Sequence, residues 1–135
     1  MTVDPNVLIA RARECLDQAY APYSRFRVAA VVVDDRGRMF TGVNVENISY
    51  GLSICAERVA VFAAIAAGAR RITALAVTSS GADLLSPCGA CRQVMAEFAD
   101  PDVPVYCDTG GAARRWTVSG LLPEGFAAAQ LGGGR

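Results

Sequence analysis

Residues 26–43 read FRVAAVVVDDRGRMFTGV, and this stretch decides the fold. Its first half, Phe26–Val33, is rich in β-branched residues, which are typical of a buried strand. Asp35–Arg36–Gly37 is a turn signal, because glycine adopts positive φ angles at no steric cost. Arg38–Val43 then has the pattern of a returning strand. The stretch therefore predicts an antiparallel hairpin within a larger sheet.

Three helices are predicted around this hairpin, at about 4–20, 53–67 and 86–98. Asp4–Pro5 combines a capping residue with a proline that suits the first helical position. Ser53 can cap the second helix after a polar loop, and Gly68 is a typical stop signal. Ser86–Pro87 repeats the pattern of cap followed by proline and opens the third helix.

Three more strands are predicted, at about 72–78, 103–107 and 116–118, so the order of elements is αββαβαββ. Two helices follow strands in a way that suits parallel crossovers. We therefore predict an α/β fold, a three-layer α-β-α sandwich around a mixed, mostly parallel five-stranded sheet. The 135 residues are expected to form a single domain over 1–135, with a flexible tail at 131–135.

Composition argues against several classes of protein. Thirteen basic residues, all Arg, balance thirteen acidic ones, and a domain that grips a polyanion usually has a basic excess. No secretory signal pattern and no apolar run long enough to span a bilayer occurs, so we expect a cytoplasmic protein. The apolar fraction of 53% exceeds what one small core needs and points to an oligomer.

The chain contains no histidine. This excludes Ser–His and Cys–His catalysis within the chain, and also every metal site that needs an imidazole ligand. Acid–base chemistry must come from carboxylates, tyrosine, cysteine or a metal-activated water.

Five cysteines are the main candidates for chemistry, and an odd number in a reducing compartment argues against disulfides. Cys88 and Cys91 are three residues apart at a helix start, where their spacing suits a metal and also a redox pair. Cys55 also lies at a helix start, so three thiolates could converge on one ion and leave a fourth position open. Cys15 and Cys107 lie on apolar faces and are interpreted as core residues.

Charged residues next to these cysteines are candidates for supporting roles. Glu57 can sit beside an open metal position and move protons, or it can simply complement the helix dipole. Arg58 lies on the same helix face as Cys55, where a guanidinium would offset the negative charge that three thiolates leave on Zn²⁺. Arg92 is a second candidate for that role.

The motifs Cys55–Ala56–Glu57 and Pro87–Cys88–Gly89–Ala90–Cys91 resemble those of the zinc-dependent cytidine deaminases, specifically their small homotetrameric branch. The stretches YSRFRV at 23–28, GVNVEN at 42–47 and LLPEGF at 121–126 are similar to that family as well. The resemblance covers nearly the whole chain.

The resemblance implies one Zn²⁺ per chain, bound by Cys55, Cys88 and Cys91. It implies hydrolytic deamination of cytidine and deoxycytidine to uridine and deoxyuridine with release of ammonia, a reaction of pyrimidine salvage. Glu57 would accept a proton from the activated water and pass protons to ring N3 and to the amino group. The backbone N–H of Ala56 would hold the ring carbonyl.

Further substrate contacts are implied by the same resemblance. Asn44 and Glu46 match residues that hold the ribose 3′-hydroxyl, and Phe26 matches an aromatic residue that packs on the nucleoside. Tyr50 and Phe126 match positions near a neighbouring subunit's site, in a homotetramer with sites near subunit interfaces. Neither a nucleic acid polymer nor a membrane is an expected partner.

Other functions stay open on the sequence alone. A deaminase of a cytosine-containing antibiotic such as blasticidin S shares the cysteine motifs, although Asn44 and Glu46 favour an intact ribose. Polynucleotide editors are disfavoured by the short, charge-balanced chain, and nucleotide deaminases usually have histidine as their first ligand. Two alternatives do not involve deamination. The chain could be a non-enzymatic zinc-binding module whose site is closed by a fourth thiolate, or a dithiol oxidoreductase that uses Cys88 and Cys91.

Overall fold

A computed structural model of the chain describes residues 3–81 and 85–131. Its helices and strands are α1 (Pro5–Cys15), β1 (Val28–Asp34), β2 (Met39–Val43), α2 (Ala56–Ala66), β3 (Ile72–Ser79), α3 (Gly89–Phe98), β4 (Pro104–Cys107), β5 (Arg114–Thr117) and α4 (Val118–Leu121). This is the predicted order with one short helix added at the end. In the described ranges, no helix has the length and apolar character to cross a bilayer. The predicted tail lies outside the described residues except for Leu131, which ends a 3₁₀ turn.

The sheet has the strand order β2-β1-β3-β4-β5. The prediction of a mixed five-stranded sheet is confirmed, but the prediction that it is mostly parallel is wrong. β1 is antiparallel to both β2 and β3, and β4 is antiparallel to β5, whereas β3 and β4 are parallel. The crossover through α2 does make β3 run in the same direction as β2. However, β1 lies between these two strands, so each of them has an antiparallel neighbour.

Helices cover both faces of the sheet, which confirms the three-layer α-β-α architecture. Strand β1 is buried along its whole length because alternate side chains face opposite layers. Val31 and its neighbours on one face pack against Leu8 and Ala12 of α1. Val32, on the opposite face, belongs to the cluster that contains Val61 of α2 and that α3 also joins.

The first helix begins as predicted but ends earlier. Asp4 caps α1 by accepting a 2.9 Å hydrogen bond from the N–H of Asn6, and Pro5 occupies the first helical turn. The helix was predicted to continue to about Tyr20, but it ends at Cys15 and a 3₁₀ turn follows at Leu16–Gln18.

The two predicted serine caps are wrong, and cysteines occupy these positions instead. Cys55 is the N-cap of α2 and Cys88 is the N-cap of α3, and neither side chain makes a capping hydrogen bond. The serine hydroxyls have other partners: Ser53 accepts from the N–H of Asn47, and Ser86 accepts from Arg92. Each of these two helices therefore begins directly after a cysteine.

Close packing at Gly42 sets the position of α2 relative to β2. A Cβ atom at Gly42 would lie 2.5 Å from the carbonyl oxygen of Ala56 and 2.9 Å from Cα of Ala60. These are backbone atoms that no rotamer change can move. Glycine at this position therefore lets the amino end of α2 lie directly against the sheet.

Candidate metal and substrate site

The amino ends of α2 and α3 bring three sulfur atoms together. The Sγ atom of Cys88 lies 3.7 Å from that of Cys55 and 3.4 Å from that of Cys91, and all three lie within 4.8 Å of one another. Thiolates that bind one tetrahedral zinc at about 2.3 Å are about 3.8 Å apart. The spacing of the three sulfurs therefore fits one zinc ion per chain.

No fourth protein ligand joins this cluster among the described residues. Cys107 is buried in β4, and its sulfur contacts the carbonyl oxygen of Asp108 at 3.6 Å. Cys15 packs beside the α1 layer of the core. Three protein ligands with a fourth position available are typical of catalytic zinc sites, whereas structural sites are closed by four.

Hydrogen bonds favour the thiolate form of Cys55. Those from Cys91 and from Arg58 lower the pKa of Cys55 to about 5. The Nη2 atom of Arg58 lies 3.6 Å from the Cys55 sulfur. The pKa of Cys91 is raised because its thiol is the donor to Cys55 and because it is buried. Arg58 thus lies where its charge offsets that of a thiolate.

Glu57 lies beside the sulfurs without belonging to their cluster. It is in the first turn of α2, and only 4% of its surface is exposed. Burial raises the pKa of Glu57 to about 7, and the negative charge of Cys55 adds to this effect. A carboxyl group with a pKa near neutrality can both accept and donate a proton.

A cavity of about 250 Å³ opens beside Glu57 and two of the cysteines. Its described lining consists of Ser24, Phe26, Val28, Asn44, Glu46, Cys55, Ala56, Glu57, Leu85, Ser86 and Cys88. A mainly apolar wall with a few convergent polar groups is typical of a small-molecule site. The cavity brings together the predicted residues of four separate sequence motifs: 23–28, 42–47, 55–57 and 87–91.

Asn44 joins the cavity wall to the start of β1. Its Oδ1 accepts a 2.9 Å hydrogen bond from the N–H of Val28, and its Nδ2 donates to the carbonyl of Phe26 at 2.8 Å. An amide group has two donors and two acceptor lone pairs. One donor and one lone pair of Asn44 therefore stay available after these backbone contacts.

Glu46 is held by the loop that precedes β1. Its Oε1 accepts from the N–H groups of Tyr23 at 3.0 Å and Ser24 at 3.1 Å, and the Ser24 hydroxyl donates to Oε2. These bonds, with the Ser24 hydroxyl first, lower the pKa of Glu46 and keep it ionised. Sequence reasoning did not assign Ser24 to the site. A local pattern could have found it: a serine hydroxyl can accept a hydrogen bond from the backbone N–H two residues later, as Ser24 does from Phe26 at 3.0 Å.

The three aromatic candidates occupy different places. Phe26 is 38% exposed and lies over Gly81 at the cavity edge, where a Cβ on that glycine would come within 2.7 Å of the ring. Tyr50 lies in an adjoining depression with Tyr23, and their ring centroids are 6.1 Å apart. Phe126 lines a different cavity, along α3, and does not line the cavity beside Glu57 in the same chain.

Arg92 has different partners from those expected of a residue that offsets thiolate charge. Its guanidinium donates to the carbonyls of Pro87 at 2.6 Å and Leu121 at 2.9 Å, and to the Ser86 hydroxyl at 3.1 Å. Arg58, in contrast, contacts a sulfur directly. The two arginines therefore contact different groups: Arg58 a sulfur, and Arg92 two carbonyls and a hydroxyl.

Fold and site together define a class: an α-β-α sandwich with three clustered thiolates, room for a fourth ligand and a buried carboxylate. A family model described as the cytidine and deoxycytidylate deaminase zinc-binding region matches residues 4–107. The chain belongs to this family of zinc-dependent deaminases.

Individual relatives agree with this family over nearly the full chain. A cytidine deaminase of Halalkalibacterium halodurans is 44% identical over 130 residues, which is 96% of this chain and 98% of that protein. One from Sporosarcina psychrophila is 42% identical over 130 residues, 96% of each chain. The crystal structure of cytidine deaminase from Burkholderia pseudomallei is 45% identical and has a TM-score of 0.84, with 93% of this chain and 100% of that chain covered.

Proposed function

We propose that this protein hydrolyses cytidine and deoxycytidine to uridine and deoxyuridine, with release of ammonia. One observation carries the proposal: three sulfurs at zinc spacing and a buried Glu57 line the same cavity. Neither a redox dithiol nor a closed structural zinc site needs a buried carboxylate beside an available position. Membership of the deaminase family supplies the reaction class.

We assign the metal-binding role to Cys55, Cys88 and Cys91. When bound, zinc would supply Lewis-acid activation of a water molecule. Glu57 would transfer both protons of the water in turn, the first to ring N3 and the second to the amino group, which leaves as ammonia while the oxygen stays on C4. Its burial keeps its affinity for the proton high enough for both transfers. The N–H of Ala56 is at the first position of α2, where helix geometry provides no internal acceptor, so it is free to hold the ring carbonyl.

Recognition of the sugar is assigned to Asn44 and Glu46, which line the cavity together. The spare donor and lone pair of Asn44, and the remaining acceptor capacity of the Glu46 carboxylate, match a hydroxyl that both donates and accepts. Phe26 packs against the nucleoside at the cavity edge. Asn44 and Glu46 together favour a nucleoside with an intact ribose or deoxyribose over a cytosine-containing antibiotic such as blasticidin S.

We infer a homotetramer in which Tyr50 and Phe126 lie near a neighbouring subunit's site. The side chains of these residues are 73% and 60% exposed in the single chain, and large aromatic residues are enriched at interfaces. A reducing location such as the cytoplasm is part of the proposal, because the five cysteines are all free and three of them must stay reduced to bind metal.

The first experiment is the ultraviolet spectrum of cytidine mixed with purified protein of known zinc content. Deoxycytidine and cytidine monophosphate are run in parallel. Conversion of both nucleosides to the uridine spectrum, lost when a strong chelator removes the metal and restored by added zinc, is the expected result. Unchanged spectra with one zinc per chain would contradict the proposal and direct the search to modified cytosine nucleosides. Deamination that survives metal removal would contradict the metal-binding role assigned to the three cysteines.

A further inference from the structure

Arg92 makes three contacts that connect Ser86–Pro87, the segment just before Cys88, to the C-terminal part of the chain. From its position in α3, the Arg92 guanidinium donates to the carbonyl oxygen of Pro87 at 2.6 Å through Nε and to the Ser86 hydroxyl at 3.1 Å through Nη2. Its third contact, through Nη1, is with the carbonyl oxygen of Leu121 at 2.9 Å. Leu121 is the last residue of α4, where helix geometry leaves carbonyl groups without an internal partner. One side chain therefore satisfies acceptors from two separate segments.

Cys88 depends on the backbone that Arg92 holds. The Cys88 side chain is exposed and makes no capping hydrogen bond to α3. Cys91, in contrast, is buried inside the helix packing. The Cys88 sulfur contacts the sulfurs of Cys55 and Cys91, and the path of the chain through Ser86 and Pro87 carries it to them. Holding Ser86 and Pro87 in place therefore helps to hold the Cys88 sulfur beside the other two sulfurs.

We propose that Arg92 is a positioning residue for the metal site, one that aims Cys88 at the other two cysteines through the Ser86–Pro87 backbone. This inference rests on the proposed zinc site. Arg58 acts by charge because it contacts a sulfur, whereas Arg92 acts by geometry because its contacts are two carbonyls and a hydroxyl.

The geometry of the contacts requires a guanidinium. Three different nitrogens of Arg92 each reach a different acceptor, and the planar fork holds these directions fixed. A lysine ammonium has the same charge but is a single point at the end of a flexible chain. Lysine at position 92 would preserve the charge and lose the clamp, so it separates the two roles.

The test measures zinc retention, which does not depend on catalysis. Arg92→Ala, Arg92→Lys and the wild-type protein are loaded with zinc and mixed with a chromophoric chelator, and the rate of zinc transfer is followed. The matched control is Arg70→Ala. Arg70 also donates to two carbonyls, those of Ile65 and Ala69, but at the opposite end of α2, about 16 Å along the helix from the metal site.

Both Arg92 variants are expected to release zinc 10- to 100-fold faster than the wild type, the usual effect of removing a group that orients a metal ligand. Arg70→Ala should release it at the wild-type rate. Cobalt-loaded Arg92→Lys should also show an altered sulfur-to-cobalt charge-transfer band, a signature that a loss of general stability would not produce. Ser86→Ala removes one of the three contacts and should give a smaller acceleration, and it serves if the Arg92 variants do not fold.

Wild-type release rates and spectra in Arg92→Lys would overturn the proposal, because charge alone would then suffice. Equal acceleration in Arg70→Ala would overturn it too, because the effect would then come from general loss of stability. A wild-type protein that binds no zinc would instead refute the proposed function, so the two failures are distinguishable.

Discussion

A methyl group added at Gly42 tests how closely the sheet positions the metal-binding end of α2. In Gly42→Ala, the new Cβ would lie 2.5 Å from the carbonyl oxygen of Ala56, about 0.9 Å short of the 3.4 Å at which ordinary van der Waals contact begins. The atoms in the way belong to the helix backbone, so α2 must shift by nearly 1 Å. Overpacking of this kind costs about 1–3 kcal/mol of stability.

The shift has a larger effect on catalysis than on stability. Cys55, Ala56 and Glu57 all lie at the displaced end of α2, whereas Cys88 and Cys91 lie at the amino end of α3, which the substitution does not contact. A misplacement of about 1 Å between catalytic groups can reduce turnover about 100-fold. We therefore expect Gly42→Ala to fold with reduced stability and to lose about two orders of magnitude in kcat.

Three measurements on the same preparations check this reasoning: urea unfolding, zinc content and the rate of cytidine deamination. The control is Gly111→Ala, because a Cβ at Gly111 meets no atom within 4 Å and the residue lies in the loop between β4 and β5. Gly111→Ala should match the wild type in all three. If Gly42→Ala retained wild-type stability and turnover, the close approach of α2 to β2 would not be what positions the site.

Three further substitutions test individual residues. Glu57→Gln should keep the fold and the zinc but lose about 10²- to 10⁴-fold in turnover, because the amide cannot carry the proton; near-normal turnover would exclude the shuttle role. Ser24→Ala removes the hydroxyl that holds Glu46 and should raise KM about tenfold for cytidine but not for 3′-deoxycytidine; an equal rise for both would exclude a role in 3′-hydroxyl recognition. Asp108 accepts two hydrogen bonds from Arg13, at 2.6 and 2.7 Å, and that contact, with others, lowers the pKa of Asp108 to about 2. A pKa that is lowered in the folded state adds stability above about pH 4, and this stability is lost as the pH falls towards 2. Asp108→Asn should therefore reduce the free energy of unfolding by about 2 kcal/mol at pH 7 and by almost nothing at pH 2. A loss of equal size at both pH values would contradict this prediction.

Local chemistry was sufficient to predict several parts of this protein. The hairpin at residues 26–43 followed from β-branched residues and a glycine turn, and β1 and β2 occupy it. Asp4–Pro5 predicted the start of α1 because a cap and a proline act on residues within one helical turn. The pair Cys88 and Cys91 likewise depends only on the spacing within one helix. Features of this kind involve residues only a few positions apart, so their geometry can be read along the chain.

The tertiary structure decided what depends on residues distant in sequence. The parallel fraction of the sheet was overestimated because β1 also pairs with β3, and that pairing joins residues far apart in the sequence. Ser53 and Ser86 have sound capping chemistry, but contacts with Asn47 and Arg92 take their hydroxyls and leave the caps to cysteines. The approach of Cys55 to Cys88 joins residues that are 33 positions apart. Residue types and short spacings thus determined which groups this chain has for its chemistry, while the packing of two helix ends against one sheet decided which of them meet, because that packing minimises exposed apolar surface over the whole chain at once.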